Sequence, residues 1–81
     1  MSIINVTKNS FIVAERIHSI IPESFSHYKR LKKEHQNTTS LVDLTYGKSV
    51  KSIIFTDSGH MFLTALSIDK VLEKIRKVNE E

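Results

Sequence analysis

The sequence has no cysteine, no tryptophan, one proline and two glycines. Without cysteine the chain forms neither a disulfide nor a cysteine-ligated zinc site, which excludes the usual staples of a small domain. No apolar run approaches the roughly 18 residues of a membrane-spanning helix, and the first residues lack the charged flank and apolar core of a secretory signal. We therefore expect a cytoplasmic protein that does not enter a membrane.

The chain has 81 residues, which predicts a single domain over residues 1–81 because so short a chain cannot build two hydrophobic cores. A domain of this size buries only about 60% of the surface that its unfolded chain exposes, and self-association is a common source of further burial. Twelve Lys and Arg residues against nine Asp and Glu give a net charge of +3 at pH 7. This excess favours an anionic partner.

The sequence contains no recognisable catalytic or metal-binding motif. Asp43 and Asp57 would act as paired carboxylates only if the fold brought them together, and we expect His60 to be a hairpin residue that hydrogen-bonds to Asp57. The sequence has no glycine-rich phosphate loop and no nucleophile elbow. We therefore expect that the protein is not an enzyme and that it uses no cofactor and no small-molecule substrate. The histidines share no metal-ligand spacing, which predicts no metal site; they are His18, His27, His35 and His60.

Apolar and β-branched runs predict an N-terminal β-hairpin followed by a strand. Residues 3–6 and 11–14 flank the turn residues 7–10, and residues 15–21 continue as a strand that Pro22 ends. In an extended chain Arg16, His18 and Ile20 would lie on the face opposite Ile17. The expected position of Arg16 is thus on a strand, pointing away from Ile17.

Two helices are predicted from apolar stripes that follow candidate capping residues. Ser24 is the expected cap of a helix over residues 25–36, and Ser67 is the expected cap of a terminal helix. The stripe of the first helix contains Phe25, Tyr28 and Leu31. The stripe of the terminal helix contains Ile68, Val71, Leu72, Ile75 and Val78.

Three further strands are predicted at residues 41–45, 51–56 and 61–66, and we expect them to form an antiparallel meander. Gly47 and the Asp57-Ser58-Gly59 segment provide the turns, with Gly47 in a conformation that other residues resist. The predicted fold class is α+β: one small antiparallel β-sheet of about five or six strands with two helices, in a single domain.

Several short motifs, whose order and spacing carry a family resemblance, lie along most of the chain, roughly residues 4–75. They are Ile12-Val13, Arg16-Ile17, Pro22-Glu23-Ser24, Lys29-Arg30, Asp43-Leu44-Thr45-Tyr46-Gly47-Lys48, Thr56-Asp57-Ser58-Gly59-His60 and Leu63.

With these motifs the chain resembles the RemA-like bacterial regulators, also called extracellular matrix regulatory proteins. The resemblance implies a transcriptional regulator of biofilm matrix genes, without catalysis, that assembles into a ring-shaped homo-oligomer and binds double-stranded DNA. It also implies that the DNA contacts come from Arg16 and from the run after Tyr46-Gly47, where this chain has Lys48, Ser49 and Lys51.

Cations on the first predicted helix extend the candidate DNA surface. Lys29 and Arg30 are included as contacts, and Lys32 and Lys33 follow them. One subunit offers too few cations for tight binding, whereas a ring repeats the same patch and gains avidity of roughly 10² to 10⁴. We expect contacts mainly to the DNA backbone.

Two other functions fit the same residues. The first is a homo-oligomeric scaffold or protein-interaction module without a DNA surface, because Lys48, Ser49 and Lys51 lack the bidentate fork of arginine. The second is an RNA-binding ring, since charge alone does not distinguish the two polymers; the scarcity of aromatic platforms counts against it.

Overall fold

Six strands in two sheets and two helices make up the fold, as a computed structural model of residues 2–79 describes it. The α+β class, the two helices and the number of strands are confirmed. The elements are β1 (Ile3–Thr7), β2 (Ser10–Val13), a 3₁₀ turn (Ala14–Arg16), β3 (Ile17–Pro22), α1 (Tyr28–His35), β4 (Leu41–Asp43), β5 (Ser52–Thr56), β6 (Met61–Thr64) and α2 (Ile68–Asn79).

The N-terminal hairpin is confirmed: β1 and β2 form an antiparallel two-stranded sheet. Residues alternate between its faces, so Ile4 and Ile12 are buried against the rest of the fold while Ile3 and Phe11 face outward, 48% and 56% exposed. The Asn5 side-chain amide donates to the Lys8 carbonyl at 2.6 Å and holds the turn. The hairpin therefore has one apolar face in the core and a second in solvent.

The larger sheet has the strand order β3-β5-β6-β4. β5 and β6 form the expected antiparallel hairpin, but β4 pairs with β6 in parallel, so the predicted meander is wrong. The Leu44 amide donates to the Leu63 carbonyl on one side of β6, and the Lys51 amide donates to the Thr64 carbonyl on its other side. Residues 44–51 thus cross β6, which an eight-residue loop can do because neighbouring strands lie only about 4.8 Å apart.

The predicted alternation around Arg16 is also wrong. Residues 14–16 form the 3₁₀ turn rather than a strand, and a bulge between Ile17 and Ser19 follows. A bulge inserts one extra residue and changes which face the later side chains occupy. As a result Ile17 and Ile20 pack against the same apolar cluster, whereas the extended pattern placed them on opposite faces.

The core consists of two apolar clusters, which neighbouring residues of β5 join. Ile54 belongs to the cluster that packs with the hairpin and α2, and Ile53 belongs to the cluster that contains Tyr28 of α1. Consecutive residues of a strand point to opposite faces, so the hairpin with α2 covers one face of the sheet and α1 covers the other. Both isoleucines are fully buried.

Capping distinguishes the two helices. The Ser67 hydroxyl accepts from the Lys70 amide at 3.3 Å, which confirms the predicted cap of α2. The first helix begins at Tyr28 rather than Phe25, and Ser24 is not its cap. Turn hydrogen bonds from the Phe25 amide to the Pro22 carbonyl and from the Tyr28 amide to the Phe25 carbonyl occupy this segment instead. Among the described residues, neither helix is long and apolar enough to cross a bilayer.

Candidate nucleic-acid interface

The five basic residues predicted to contact DNA are all exposed, but they do not form one patch. Lys48 and Lys51 precede β5, whereas Arg16 lies beside Asp57, which follows β5. At about 3.4 Å per residue, a five-residue strand separates these two ends by roughly 17 Å. The structure brings Lys48 and Lys51 to one end of the sheet and leaves Arg16 at the other.

Arg16 ends the 3₁₀ turn and is held at the tip of the β5–β6 hairpin. Its Nε lies 3.4 Å from Asp57 Oδ1, and its carbonyl accepts from the Asp57 amide at 2.9 Å. The two side chains are 65% and 48% exposed, and ion pairs as open as this contribute only about 0.2–1 kcal/mol. The guanidinium is therefore positioned by Asp57 through a weak ion pair and remains largely exposed to solvent.

Asp43 shapes the loop that carries Lys48. Its Oδ1 accepts from the Thr45 hydroxyl at 2.6 Å and from the Thr45 amide at 2.9 Å. These hydrogen bonds, the one from the hydroxyl first, lower the pKa of Asp43 below its ordinary value because they favour the charged form. Gly47 follows at φ +83°, which confirms the predicted turn conformation. The Lys48 amide then donates to the Thr45 carbonyl at 3.1 Å.

Lys8 and Tyr46 join this loop to the N-terminal hairpin. The Lys8 Nζ lies 5.6 Å from the centroid of the Tyr46 ring, in cation–π contact, and the Tyr46 hydroxyl is 3.4 Å from the Ser10 hydroxyl. Sequence reasoning missed Lys8 as part of the basic surface. The sequence did contain a signal for an unusual residue here, because the turn between β1 and β2 has no glycine to take a positive φ. Lys8 takes that conformation instead, at φ +38°.

Lys29 and Arg30 occupy the first turn of α1 and are exposed. The preceding segment is tied to the Lys51 end of the sheet, because the Glu23 amide donates to the Lys51 carbonyl at 3.3 Å. Tyr28 anchors this helix turn in the core, and burial, followed by the charges of Glu23 and Asp43, raises its pKa. Its phenol therefore stays neutral at pH 7, and its side chain packs in the apolar cluster that contains Ile53.

An open groove of about 470 Å³ lies between α1 and the β3–β5 side of the sheet, with Ile21, Leu31 and Phe55 among its lining residues. His35 also lines it, and its Nδ1 donates to the Leu31 carbonyl at 2.8 Å.

The predicted hydrogen bond between His60 and Asp57 is wrong. The His60 Nδ1 is 2.7 Å from the Ser58 hydroxyl, and Asp57 is paired with Arg16.

The two candidate carboxylates do not pair. Asp43 ends β4 and Asp57 follows β5, and since β4 runs parallel to β6 and antiparallel to β5, the two residues lie towards opposite ends of the sheet. Each has its own partner, Thr45 and Arg16 respectively. Within residues 2–79 no group of three or more His, Cys, Asp or Glu side chains is placed to hold a metal ion.

Comparison with known proteins gives the family of the chain. The model of the RemA-like family, described as extracellular matrix regulatory protein A-like, matches residues 3–75. A protein of Thermodesulfovibrio yellowstonii is 32% identical over 77 residues, covering 95% of this chain and 91% of its own length. One from Nitratidesulfovibrio vulgaris strain Miyazaki F is 39% identical over 69 residues, covering 85% and 78%. Both relatives carry the name "Putative regulatory protein". The chain therefore belongs to the RemA-like family of regulatory proteins.

Proposed function

We propose that this protein is a transcriptional regulator that binds double-stranded DNA as a ring-shaped homo-oligomer. The observation that carries the proposal is the set of exposed cations at the two ends of the sheet. Arg16 at one end and Lys48 with Lys51 at the other are too far apart to meet the same phosphate. A duplex that contacts several subunits would engage both ends repeatedly.

Self-association has support in the surface of the fold. Each outer strand of the larger sheet, β3 and β4, has one strand partner among the described residues, which leaves backbone groups open for a second. Ile3 and Phe11 add an exposed apolar face on the hairpin. When two different surfaces of a subunit meet head to tail, the assembly closes into a ring if the rotation permits.

The proposed contacts are electrostatic and directed at the DNA backbone. Lysine meets a phosphate as a point charge, and each neutralised phosphate releases counterions. Binding by repeated lysine-containing patches is therefore steeply salt-dependent, and its tightness comes from avidity rather than from any single contact. Sequence preference would then come from the shape or bending of the duplex.

The exposure of Tyr46 favours a second candidate, an RNA-binding ring. Its ring is 59% exposed and lies beside cations, and exposed aromatic rings in basic surroundings stack the unpaired bases of single strands in other proteins. Duplex DNA is preferred here because Lys8 lies over the ring of Tyr46 and occupies a stacking face. Competition between duplex DNA and single-stranded RNA of equal length separates the two polymers.

The experiment is a duplex-DNA titration at 50 and 200 mM salt with the wild type, Arg16→Ala and the matched control Arg76→Ala, which removes an exposed arginine from α2. Oligomeric mass is measured on the same samples. We expect a large oligomer whose affinity falls with salt and falls further in Arg16→Ala only. An oligomer that ignores duplex DNA at 50 mM salt would overturn the proposal in favour of a protein-interaction scaffold.

A further inference from the structure

We propose that Lys8 and Tyr46 form a phosphate-binding platform that extends the Lys48 end of the DNA surface. The inference rests on the proposed function and assigns to it two residues from different parts of the chain. The ligand group is a phosphate of the duplex backbone. Its recognition would combine the Lys8 ammonium, the Tyr46 hydroxyl and the neighbouring Lys48.

Both residues are fixed by contacts that reach across the fold. Lys8 lies in the β1–β2 turn and Tyr46 in the β4–β5 loop, and the cation–π contact of 5.6 Å joins them. The hydroxyls of Ser10 and Tyr46 are 3.4 Å apart. A lysine at a hairpin tip is ordinarily free to sample many rotamers, and the ring restricts this one. Less conformational entropy is then lost when it binds an anion.

Backbone conformation provides an independent observation. In the described part of the chain two residues other than glycine have a positive φ, Lys8 at +38° and Tyr46 at +52°, and they are the two that contact each other. Glycine adopts this region without the steric cost that a side chain imposes. Strained residues of this kind cluster at binding sites, where the surrounding structure maintains them.

The free donors of the pair suit a phosphate. One face of the Lys8 ammonium meets the ring, and an ammonium has three N–H donors, so others remain directed to solvent. When the Ser10 hydroxyl donates to Tyr46, the phenol keeps its own O–H for an acceptor outside the protein. The Asn5 side-chain amide donates to the Lys8 carbonyl, which holds the backbone of the turn that carries Lys8.

The test uses Lys8→Gly, which removes the charge and also relieves the positive φ. Relief of the positive φ offsets the lost cation–π contact and the larger backbone entropy of glycine in the unfolded chain, so this variant is expected to unfold near the wild-type temperature. Weaker binding would then not reflect a damaged fold. Tyr46→Phe removes only the hydroxyl. Arg76→Gln removes a charge from an exposed position of α2, outside the proposed DNA surface, and serves as the control. Duplex-DNA affinity is measured for all three and for Arg16→Ala over a series of salt concentrations.

We expect Lys8→Gly to bind more weakly and to reduce the slope of log affinity against log salt by about 0.9 for each phosphate that Lys8 contacts. Tyr46→Phe should weaken binding less, and Arg76→Gln should leave the slope unchanged. If the wild type binds and Arg16→Ala weakens it while Lys8→Gly does not, only the platform is refuted. If the wild type fails to bind at low salt, the proposed function falls and the platform falls with it.

Discussion

Asp57 is expected to restrain the affinity for DNA, and Asp57→Asn is the substitution that tests this. Its carboxylate holds Arg16 at 3.4 Å and partly neutralises the guanidinium that would meet a phosphate. Asparagine retains the size, the side-chain oxygen and the backbone amide that bonds to the Arg16 carbonyl. The substitution therefore removes one negative charge and little else.

The magnitude follows from the exposure of the pair. Two unit charges about 4 Å apart interact by about 1 kcal/mol in bulk water, and exposed ion pairs measure about 0.2–1 kcal/mol. This energy opposes binding when Arg16 leaves Asp57 for a phosphate. Its removal should tighten binding by about 1.4- to 5-fold for each Arg16 that contacts the duplex.

The assay is a duplex-DNA titration of four proteins: wild type, Asp57→Asn, Arg16→Ala and the double variant. We expect a gain from Asp57→Asn in the wild type and a clearly smaller gain in the Arg16→Ala background, since the freed partner is then missing. The gain should shrink as salt screens the pair. An equal gain in both backgrounds would refute the reasoning, because it would show a general effect of charge rather than release of Arg16.

Three further predictions concern stability, each measured by urea or thermal unfolding. Ile54→Ala should lower the free energy of unfolding by about 2–5 kcal/mol because Ile54 is fully buried, whereas Leu72→Ala on the exposed side of α2 should cost much less; equal losses would contradict the assigned core. Asp43 has a lowered pKa, so its stabilising effect is present above the unfolded-state pKa of about 3.9 and is lost as the pH falls through the lower folded-state value. Asp43→Asn should therefore flatten the loss of stability in acid, and an unchanged profile would count against its bonds to Thr45. Gly59→Ala should destabilise by about 1–2 kcal/mol through its φ of +87° alone, since an added Cβ meets nothing within 4 Å; a neutral result would contradict that conformation.

Local signals in the sequence predict the hairpins and the terminal helix. The apolar runs on either side of Asp57-Ser58-Gly59 predict β5 and β6, and Ser67 with the stripe behind it predicts α2, because these patterns involve residues close in sequence. The start of α1 was missed since Phe25 belongs by spacing to its apolar stripe, yet turn hydrogen bonds and not helical ones hold Phe25. The parallel pairing of β4 with β6 was missed because apolar runs do not specify which strand is the neighbour.

The candidate site likewise has features that the sequence predicts and features that depend on tertiary packing. Exposure of Arg16, Lys48 and Lys51 follows from their charge. Their separation depends on the direction of β5, and the Lys8–Tyr46 contact depends on how the hairpin packs against the sheet. The spacing of these residues in the sequence predicts neither the separation of the cations nor the Lys8–Tyr46 contact, because tertiary packing determines both.

The strand pairing of the larger sheet has a consequence for the order in which the chain acquires structure. β3 and β4 each have as their strand partner an element that comes later in the chain, β5 and β6 respectively. Contacts between distant segments form late because closing the intervening loop is entropically costly. We expect the β5–β6 hairpin, whose turn is local, to be the template on which both earlier strands dock. A nascent chain that has reached only β4 would then have a complete N-terminal hairpin and no larger sheet to attach it to.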